Sequence, residues 1–290
     1  MCAKIVTVLN RKGGVGKTTL TIAIADTLIA EKKADVTIVD LDPQATASQV
    51  LLTENDFKAR VENHENLPGL LVALLRPAGE LDNLRFRMDG LGKIRGQNRD
   101  RLRLYPNSDA FWDLEAEEIA NDNGSRLNDA LKNLLQQEKR DRQYILIDCP
   151  PGQSITAKAV LEASDLVICP MNADEYSLWG KDLLKRYISR VAPGTRYKFI
   201  INRFDNRLNV HKEVADKLRQ PPHKADMLNI VQGLLFGSKP ELAAFDVNAS
   251  VMRRLDMTAQ SFLDKIYGRK GAKQLKSIVE GMQKELGQDG

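Results

Sequence analysis

The sequence lacks a long apolar run, and it contains few cysteines. None of its 290 residues belongs to a stretch of about 18 apolar residues, the length that a membrane-spanning helix requires. The first residues run directly into a predicted strand, so we expect no signal peptide. The three cysteines, Cys2, Cys149 and Cys169, are far apart and odd in number, which argues against a disulfide framework or a zinc site. We therefore expect a cytoplasmic protein.

Net charge is also low, although the charges are unevenly distributed. A formal charge of +4 is too small to indicate nucleic-acid binding by itself. Between Lys181 and Lys212, however, nine Lys and Arg residues stand against two Asp. A second basic stretch runs from Arg85 to Arg103, and a third begins at Arg253. Clustering of this kind favours a phosphate-facing surface, while any one basic residue is more often simply solvated.

Apolar, β-branched runs alternate with helical patterns along the chain. The predicted strands are 4–10, 35–42, 102–106, 144–152, 165–170 and 197–202. The predicted helices are 17–31, 69–75, two helices within 109–138 that divide at Asn123-Gly124, and two near 250–266 and 271–287. This alternation predicts an α/β fold with a doubly wound, mainly parallel sheet and helices on both faces. We expect a single domain over 1–290, with 205–290 as its less regular carboxyl-terminal part.

The stretch "NRKGGVGKTT", residues 10–19, connects the first strand to the first helix. Its end matches the phosphate-loop pattern G-K-[ST], but Arg11 stands where the pattern has its first glycine. Glycines let backbone N–H groups approach a phosphate, and the amino terminus of the following helix attracts the same anion. Lys17 is then expected to reach the β- and γ-phosphates and Thr18 to bind Mg²⁺. A second lysine, Lys12, is left without a role in this pattern.

"KGGVGKTT" resembles the deviant phosphate loop of the ParA/MinD family of P-loop ATPases. In that family the additional lysine reaches across a nucleotide-sandwich dimer to the ATP of the partner subunit, a role that the resemblance assigns to Lys12. It implies ATP and Mg²⁺ as cofactors and a homodimer that forms on ATP binding. The nucleotide-binding residues carried over are Lys12, Gly13, Gly14, Val15, Gly16, Lys17, Thr18, Thr19 and Asn202.

Other segments are similar to the same family over residues 4–204. "DLDPQ", 40–44, resembles the family's D-x-D-P-Q element, in which Asp42 would position the attacking water and Asp40 would lie near the magnesium. "ILIDCPPG" resembles the Walker B strand and switch II, so that Asp148 would hold Mg²⁺ through water. In "IINRF" the resemblance assigns Asn202 to the nucleotide base. Catalysis would then depend on Lys12, Lys17 and Asp42, and the metal site on Thr18, Asp40 and Asp148.

Three functions remain open within this family. The cysteine spacing does not fit the iron–sulfur members, and no amino-terminal helix-turn-helix is expected. A MinD-like positioner would need a membrane-binding helix at the carboxyl terminus, but the apolar face of residues 271–287 is more typical of a helix packed on the domain. An ATP-dependent synthetase on the same scaffold is a second alternative, and Lys12 argues against it.

The partition and cargo-positioning branch is the preferred interpretation. Such a protein would bind DNA without sequence preference as an ATP dimer, associate with the nucleoid, and hydrolyse ATP slowly until a ParB-like or cargo adaptor protein stimulates it. We expect no stable membrane association. The candidate DNA contacts are Lys181, Lys185, Arg186, Arg190, Arg207, Arg253 and Arg254.

Overall fold

The computed structural model describes residues 3–75, 101–152, 154–205, 207–221, 226–232 and 259–287. Within these ranges seven strands form one sheet. The strands are β1 (Lys4–Val8), β2 (Val36–Asp40), β3 (Leu102–Tyr105), β4 (Tyr144–Asp148), β5 (Leu166–Asn172), β6 (Arg196–Phe204) and β7 (Met227–Gln232). Their order is β3-β2-β4-β1-β5-β6-β7, and every described pair is parallel. The prediction of a parallel α/β sheet is confirmed.

Ten helices lie within the described residues. They are α1 (Lys17–Lys32), α2 (Thr46–Leu51), α3 (Glu54–Glu62), α4 (Leu67–Leu74), α5 (Ala110–Asp122), α6 (Ser125–Glu138), α7 (Ile155–Ala163), α8 (Glu175–Val191), α9 (Asn209–Arg219) and α10 (Ala259–Glu285). Side-chain caps start several of them, because the first backbone N–H groups of a helix have no partner inside it. Ser154 accepts from the N–H of Ala157 before α7, and Asp174 accepts from the N–H of Ser177 before α8.

Both faces of the sheet are covered by helices. Ile5 of β1, and Leu9 directly after it, belong to one buried apolar layer, while Val6 and Val8 of β1 belong to the other. This alternation follows from the two-residue period of a strand. Side chains of α5 to α9 pack in the first layer, and side chains of α1 and α10 pack in the second. The doubly wound arrangement is therefore confirmed.

The last helix is interrupted at Gly268, whose φ of 69° and ψ of 157° are not helical. After this break its apolar face packs in the same layer as α1. The buried side chains on this face are Leu275, Ile278, Val279, Met282 and Leu286. Full burial of each stabilises the fold by about 1.5–3 kcal/mol relative to exposure. The packed interpretation of this helix is confirmed, and the same face is not available to a lipid surface.

Some elements differ from the sequence prediction. Helices α2 and α3 and strand β7 were not predicted, and the helix expected near 250–266 begins, within the described residues, at Ala259. Of the second basic stretch, residues 85–100 lie outside the described residues, whereas Arg101 and Arg103 pair with Asp35 and Glu138. No helix in the described ranges is long and apolar enough to cross a membrane.

Candidate nucleotide site

The phosphate loop connects β1 to α1 at the carboxyl edge of the sheet. Asn10 anchors its beginning, because the side-chain Nδ2 donates to the Pro170 carbonyl at 2.6 Å and Oδ1 accepts from the N–H of Lys12 at 3.0 Å. A Cβ atom built at Gly13 or Gly14 would have no heavy atom within 4 Å, so this part of the loop borders open space. An anion can therefore approach the backbone N–H groups closely.

Gly16 precedes α1 and lies against the end of β6. Its φ is +92°, and a Cβ atom there would lie 2.4 Å from Nδ2 of Asn202, so only glycine fits. The same Nδ2 donates to the Val15 carbonyl at 3.0 Å, while Oδ1 of Asn202 accepts from the N–H of Arg203 at 2.9 Å. Asn202 thus ties β6 to the phosphate loop.

Two carboxylates from neighbouring strands lie beneath the loop. Asp40 and Asp148 are register partners on β2 and β4, and both are fully buried. Thr18 donates from Oγ1 to Oδ2 of Asp148 at 2.6 Å. Asp40 accepts from the backbone N–H and the hydroxyl of Ser48 at 2.9 and 2.7 Å, and from the N–H of Asp42 at 3.2 Å. These donors offset part of the cost of burying Asp40.

Burial raises the pKa of both carboxyl groups. Hydrogen bonds from Ser48 oppose the rise at Asp40, whereas at Asp148 the charge of Asp40 adds to it. The Thr18 hydrogen bond and the Lys17 ammonium group work in the opposite direction at Asp148. Buried carboxyl groups with raised pKa values are frequent at functional sites. A cation bound beside this pair would favour the ionised form of both groups.

The donor set fits a magnesium ion bound together with a triphosphate. Mg²⁺ prefers hard oxygen ligands and keeps several waters and phosphate oxygens in its shell. Thr18 and Asp148 supply a hydroxyl and a carboxylate, and Lys17 is buried beside them. Among the described residues no group of three or more His, Cys, Asp or Glu side chains is arranged to hold a metal ion.

Asp42 lies just beyond the end of β2 and is half-buried. Its Oδ1 accepts from the N–H of Gln44 at 3.0 Å, and its carbonyl accepts from the N–H of Ala45 at 2.8 Å. The tight turn holds the carboxylate at the carboxyl edge, next to the strand end that bears Asp40. A carboxylate in this position can orient a water molecule by accepting its proton in a hydrogen bond.

The two lysines of the loop have different environments. Lys17 is buried next to Asp148. Half of the Lys12 side chain is exposed, and its Nζ lies 3.1 Å from Oδ2 of Asp174 at the start of α8. Partial burial raises the pKa of Asp174, but hydrogen bonds from Ser177 and Lys12 outweigh it and hold this pKa below its ordinary value. Lys12 therefore lies on the rim of the site and Lys17 lies inside it.

The basic stretch on α8 does not form one continuous exposed surface. Lys181 is only 3% exposed; its Nζ lies 3.1 Å from Asp226 and 5.2 Å from the centre of the Phe199 ring. The prediction that Lys181 contacts DNA is therefore wrong, because α8 turns it toward β6 and β7. Lys185 is partly exposed but shares Oδ2 of Asp226 at 3.0 Å.

Three other candidates for DNA contact face solvent. Arg186 and Arg190 lie on the outer side of α8 and form no ion pair within the described residues. Arg207 is exposed as well, but it pairs with the carboxylate of Asp205 at 2.7 Å. Arg253 and Arg254 lie outside the described residues.

Two residues of the site were not found from the sequence. Ser48 joins Asp40 to the loop after β3, because its hydroxyl also accepts from the N–H of Asn107 at 2.9 Å. It lies on the short helix α2, which the pattern did not reveal. Asp174 holds Lys12, and the Asp-x-x-Ser spacing of a helix cap at 174–177 is the signal that marks it.

Comparisons with known proteins give relatives in both sequence and fold. Residues 3–201 match the protein family described as AAA domain. The chromosome partitioning protein ParA of Myxococcus xanthus is 29% identical over 228 residues, which cover 74% of this chain and 70% of that protein.

Two solved structures share the fold. A putative plasmid partition protein from Borrelia burgdorferi bound to AMPPNP has a TM-score of 0.69 at 22% identity, with 98% of this chain and 99% of that chain covered. The cobyrinic acid a,c-diamide synthase from Mycobacterium smegmatis with bound ATP analogue and magnesium has a TM-score of 0.59 at 25% identity, with 74% and 81% covered.

Proposed function

Because the chain belongs to the ParA/MinD family of P-loop ATPases, we propose that it is an ATP-dependent dimerising switch that binds DNA non-specifically. On DNA it partitions or positions a plasmid, a chromosome region or a protein cargo, and it works at the nucleoid in the cytoplasm. The observation that carries this proposal is the separation of the two loop lysines, with Lys17 inside the site and Lys12 on its rim.

Within one subunit, each part of the site has a task. The glycine loop and Lys17 bind the phosphates of ATP, and Thr18 and Asp148 hold Mg²⁺, which neutralises charge on those phosphates. Asn202 positions the loop through its hydrogen bond to the Val15 carbonyl. Its role toward the nucleotide base is the one that the family resemblance assigns. Asp42 orients the attacking water. Between subunits, Lys12 leaves Asp174 and neutralises the phosphates bound by the partner, so dimerisation depends on ATP.

Turnover is slow for the protein alone. A partner protein completes the arrangement that orients the attacking water beside Asp42. A ParB-like or cargo adaptor fits this role. DNA binding then ends when hydrolysis dissociates the dimer.

Arg186 and Arg190 are the strongest DNA contacts among the described residues, because they are exposed and form no ion pair there. Each phosphate contact releases counterions, so affinity for DNA falls steeply with salt. Arg207 contributes less, since Asp205 already neutralises much of its charge.

The decisive experiment is retention on non-specific double-stranded DNA at near-physiological salt with ATP, ADP or no nucleotide. Wild type is expected to bind only with ATP, and Lys12→Ala is expected to lose this binding while still binding ATP. Absence of DNA binding in every nucleotide state would contradict the proposal.

A synthetase is the second candidate, since the M. smegmatis synthase shares the fold at 25% identity. It predicts ATP turnover that depends on a small carboxylate substrate and is indifferent to DNA. The exposed lysine on the rim of the site favours the switch, because catalysis on a small substrate within one subunit gives Lys12 no phosphate to contact.

A further inference from the structure

A buried series of hydrogen bonds connects Asp42 with the loop that follows β3. The N–H of Asp42 donates to Oδ1 of Asp40 at 3.2 Å, and the hydroxyl of Ser48 donates to Oδ2 at 2.7 Å. The same hydroxyl accepts from the N–H of Asn107 at 2.9 Å. Asp40, Ser48 and Asn107 are fully buried, so water does not compete for these bonds. The proposed function uses Asp42 but gives no task to Ser48.

The two oxygens of Asp40 bond to different neighbours. Oδ2 accepts both from the backbone N–H of Ser48, at 2.9 Å, and from its hydroxyl. Oδ1 is left to hold the N–H of Asp42. A carboxylate rotates easily about its last torsion angle, since that torsion has broad minima. Two donors from one residue on Oδ2 restrict this rotation and therefore keep Oδ1 directed at Asp42.

Asp40 also takes the place of a helix cap for α2. An N-cap side chain ordinarily accepts from the second or third N–H of its helix. Ala45 precedes α2 and provides no side-chain cap, and the third N–H of this helix, that of Ser48, is bonded to Asp40 instead. The start of α2 is therefore fixed to the end of β2 through this carboxylate.

The turn between β2 and α2 is strained. Ala45 has a φ of 52° and a ψ of 34°, a left-handed conformation that is unfavourable for a residue with a Cβ atom. Its N–H donates to the carbonyl of Asp42 at 2.8 Å, which closes the turn. Strained residues keep their conformation only where the surrounding structure holds them, and they are frequent at functional sites. The bonds between Ser48 and Asp40 hold this turn from its far end.

We propose that Ser48 is a positioning residue for ATP hydrolysis, an inference that rests on the proposed function. Through Asp40 it holds the turn that carries the carboxylate of Asp42, and through Asn107 it fixes this turn to the loop after β3. The phosphate loop and the Thr18–Asp148 bond belong to other elements, namely β1, α1 and β4. Ser48 therefore affects the hydrolytic step and leaves ATP binding unchanged.

The test compares affinity for two nucleotide states by isothermal titration in the presence of Mg²⁺. AMPPNP reports binding of the triphosphate, whereas ADP with aluminium fluoride imitates the transition state, in which the attacking water must be in place. Ser48→Ala is expected to bind AMPPNP as wild type does. It is expected to bind ADP with aluminium fluoride about tenfold more weakly, because a small misplacement of Asp42 is costly only in the transition state. Single-turnover phosphate release should fall by a similar factor.

Two further variants separate positioning from a general loss of structure. Thr46→Ala is the matched control, since it removes an exposed hydroxyl from the same helix, and it should behave as wild type does in every measurement. Ser48→Cys preserves the shape of the side chain, but a thiol is only a weak donor and acceptor, so an intermediate loss is expected. Thermal unfolding shows whether each variant is folded, and Ser48→Cys provides the test if Ser48→Ala is not.

A double variant identifies the residue through which Ser48 acts. Asp42→Ala should weaken binding of ADP with aluminium fluoride. Ser48→Ala added to it should cause no further loss, because the carboxylate that Ser48 positions is already absent. Additive losses would show that Ser48 acts independently of Asp42 and would overturn the inference. So would unchanged affinity of Ser48→Ala for ADP with aluminium fluoride, or an equal loss of its affinity for AMPPNP.

Failure of the proposed function gives a different result. A wild-type protein that binds ADP no more tightly with aluminium fluoride than without it, and that releases no phosphate from ATP, contradicts the ATPase itself. A wild-type protein that shows both properties, with Ser48→Ala indistinguishable from it, contradicts only the role of Ser48.

Discussion

The ammonium group of Lys12 lies 3.1 Å from the carboxylate of Asp174 on its own chain. The lysine that would contact the partner's phosphates must first leave this carboxylate. Because both side chains are partly exposed, the ion pair is worth at most about 1 kcal/mol, which is small compared with an attraction to a triphosphate. Asp174 therefore adjusts dimerisation without preventing it.

Asp174→Asn should tighten the ATP-dependent dimer by about threefold. The substitution removes an exposed ion pair that stabilises the monomer by about a few tenths of a kcal/mol and that must break when the dimer forms. Asparagine still caps α8 at Ser177, so the helix start is preserved. Sedimentation velocity across AMPPNP concentrations measures the change. Glu175→Gln is the matched control, since Glu175 is a neighbouring exposed acid that pairs with Lys217 rather than Lys12. An unchanged or weaker dimer in Asp174→Asn would show that the ion pair does not restrain Lys12.

Asp42→Ala should leave ATP binding intact and reduce hydrolysis to background, because the carboxylate that orients the water is removed. The ATP-bound protein should then remain on DNA instead of dissociating. Phosphate release and the lifetime of the DNA complex are the two measurements. Asp42→Asn preserves the shape of the turn and is expected to behave similarly. Hydrolysis at the wild-type rate in both variants would remove Asp42 from the mechanism.

Asn202→Ala should lower the affinity for ATP by about tenfold and the affinity for inorganic tripolyphosphate by less. Both ligands lose the hydrogen bond that positions the loop, which is worth about 1 kcal/mol, but only ATP also loses a contact with its base. Loss of the bond to the Val15 carbonyl affects both ligands, whereas loss of a base contact affects only ATP. Isothermal titration with each ligand separates the two effects. Equal losses for both ligands would mean that Asn202 acts only through the phosphate loop.

The sheet and the phosphate loop could be predicted from the sequence because their signals are local. Buried parallel strands appear as short apolar runs, and Gly16-Lys17-Thr18 directly follows one of them. The short helices α2 and α3 give no such signal. α2 has only six residues, and α3 has no buried residue, so neither shows an apolar period. Ser48, which lies on α2, was missed for the same reason.

The environment of Lys181 could not be predicted because it depends on contacts distant in sequence. Its partner Asp226 lies 45 residues further along the chain, next to the unpredicted strand β7. In the sequence Lys181 begins a run of basic residues, and nothing local distinguishes it from its exposed neighbours. The Lys12–Asp174 pair spans 162 residues and was missed in the same way.

Asp226→Ala should reduce the free energy of unfolding by about 3 kcal/mol, because it leaves the buried ammonium group of Lys181 without its closest carboxylate. Lys185 loses the same partner, but it is partly exposed and can turn to water. Urea denaturation measures the change. Arg190→Ala on the same helix is the surface control and should change stability by less than about 0.5 kcal/mol. A small effect of Asp226→Ala would show that the β6–β7 side of α8 tolerates an unbalanced charge.

Cys149 and Cys169 should resist alkylation in the folded protein. Both are fully buried, and burial raises the pKa of each thiol; at Cys149 the charge of Asp148 raises it further. The reactive thiolate is therefore scarce and inaccessible. Iodoacetamide at mildly alkaline pH followed by peptide mass spectrometry should find both residues unmodified, and modified once guanidinium unfolds the chain. Rapid labelling of Cys149 alone in the native protein would contradict this, and would show that the segment after β4 opens to solvent without unfolding of the sheet.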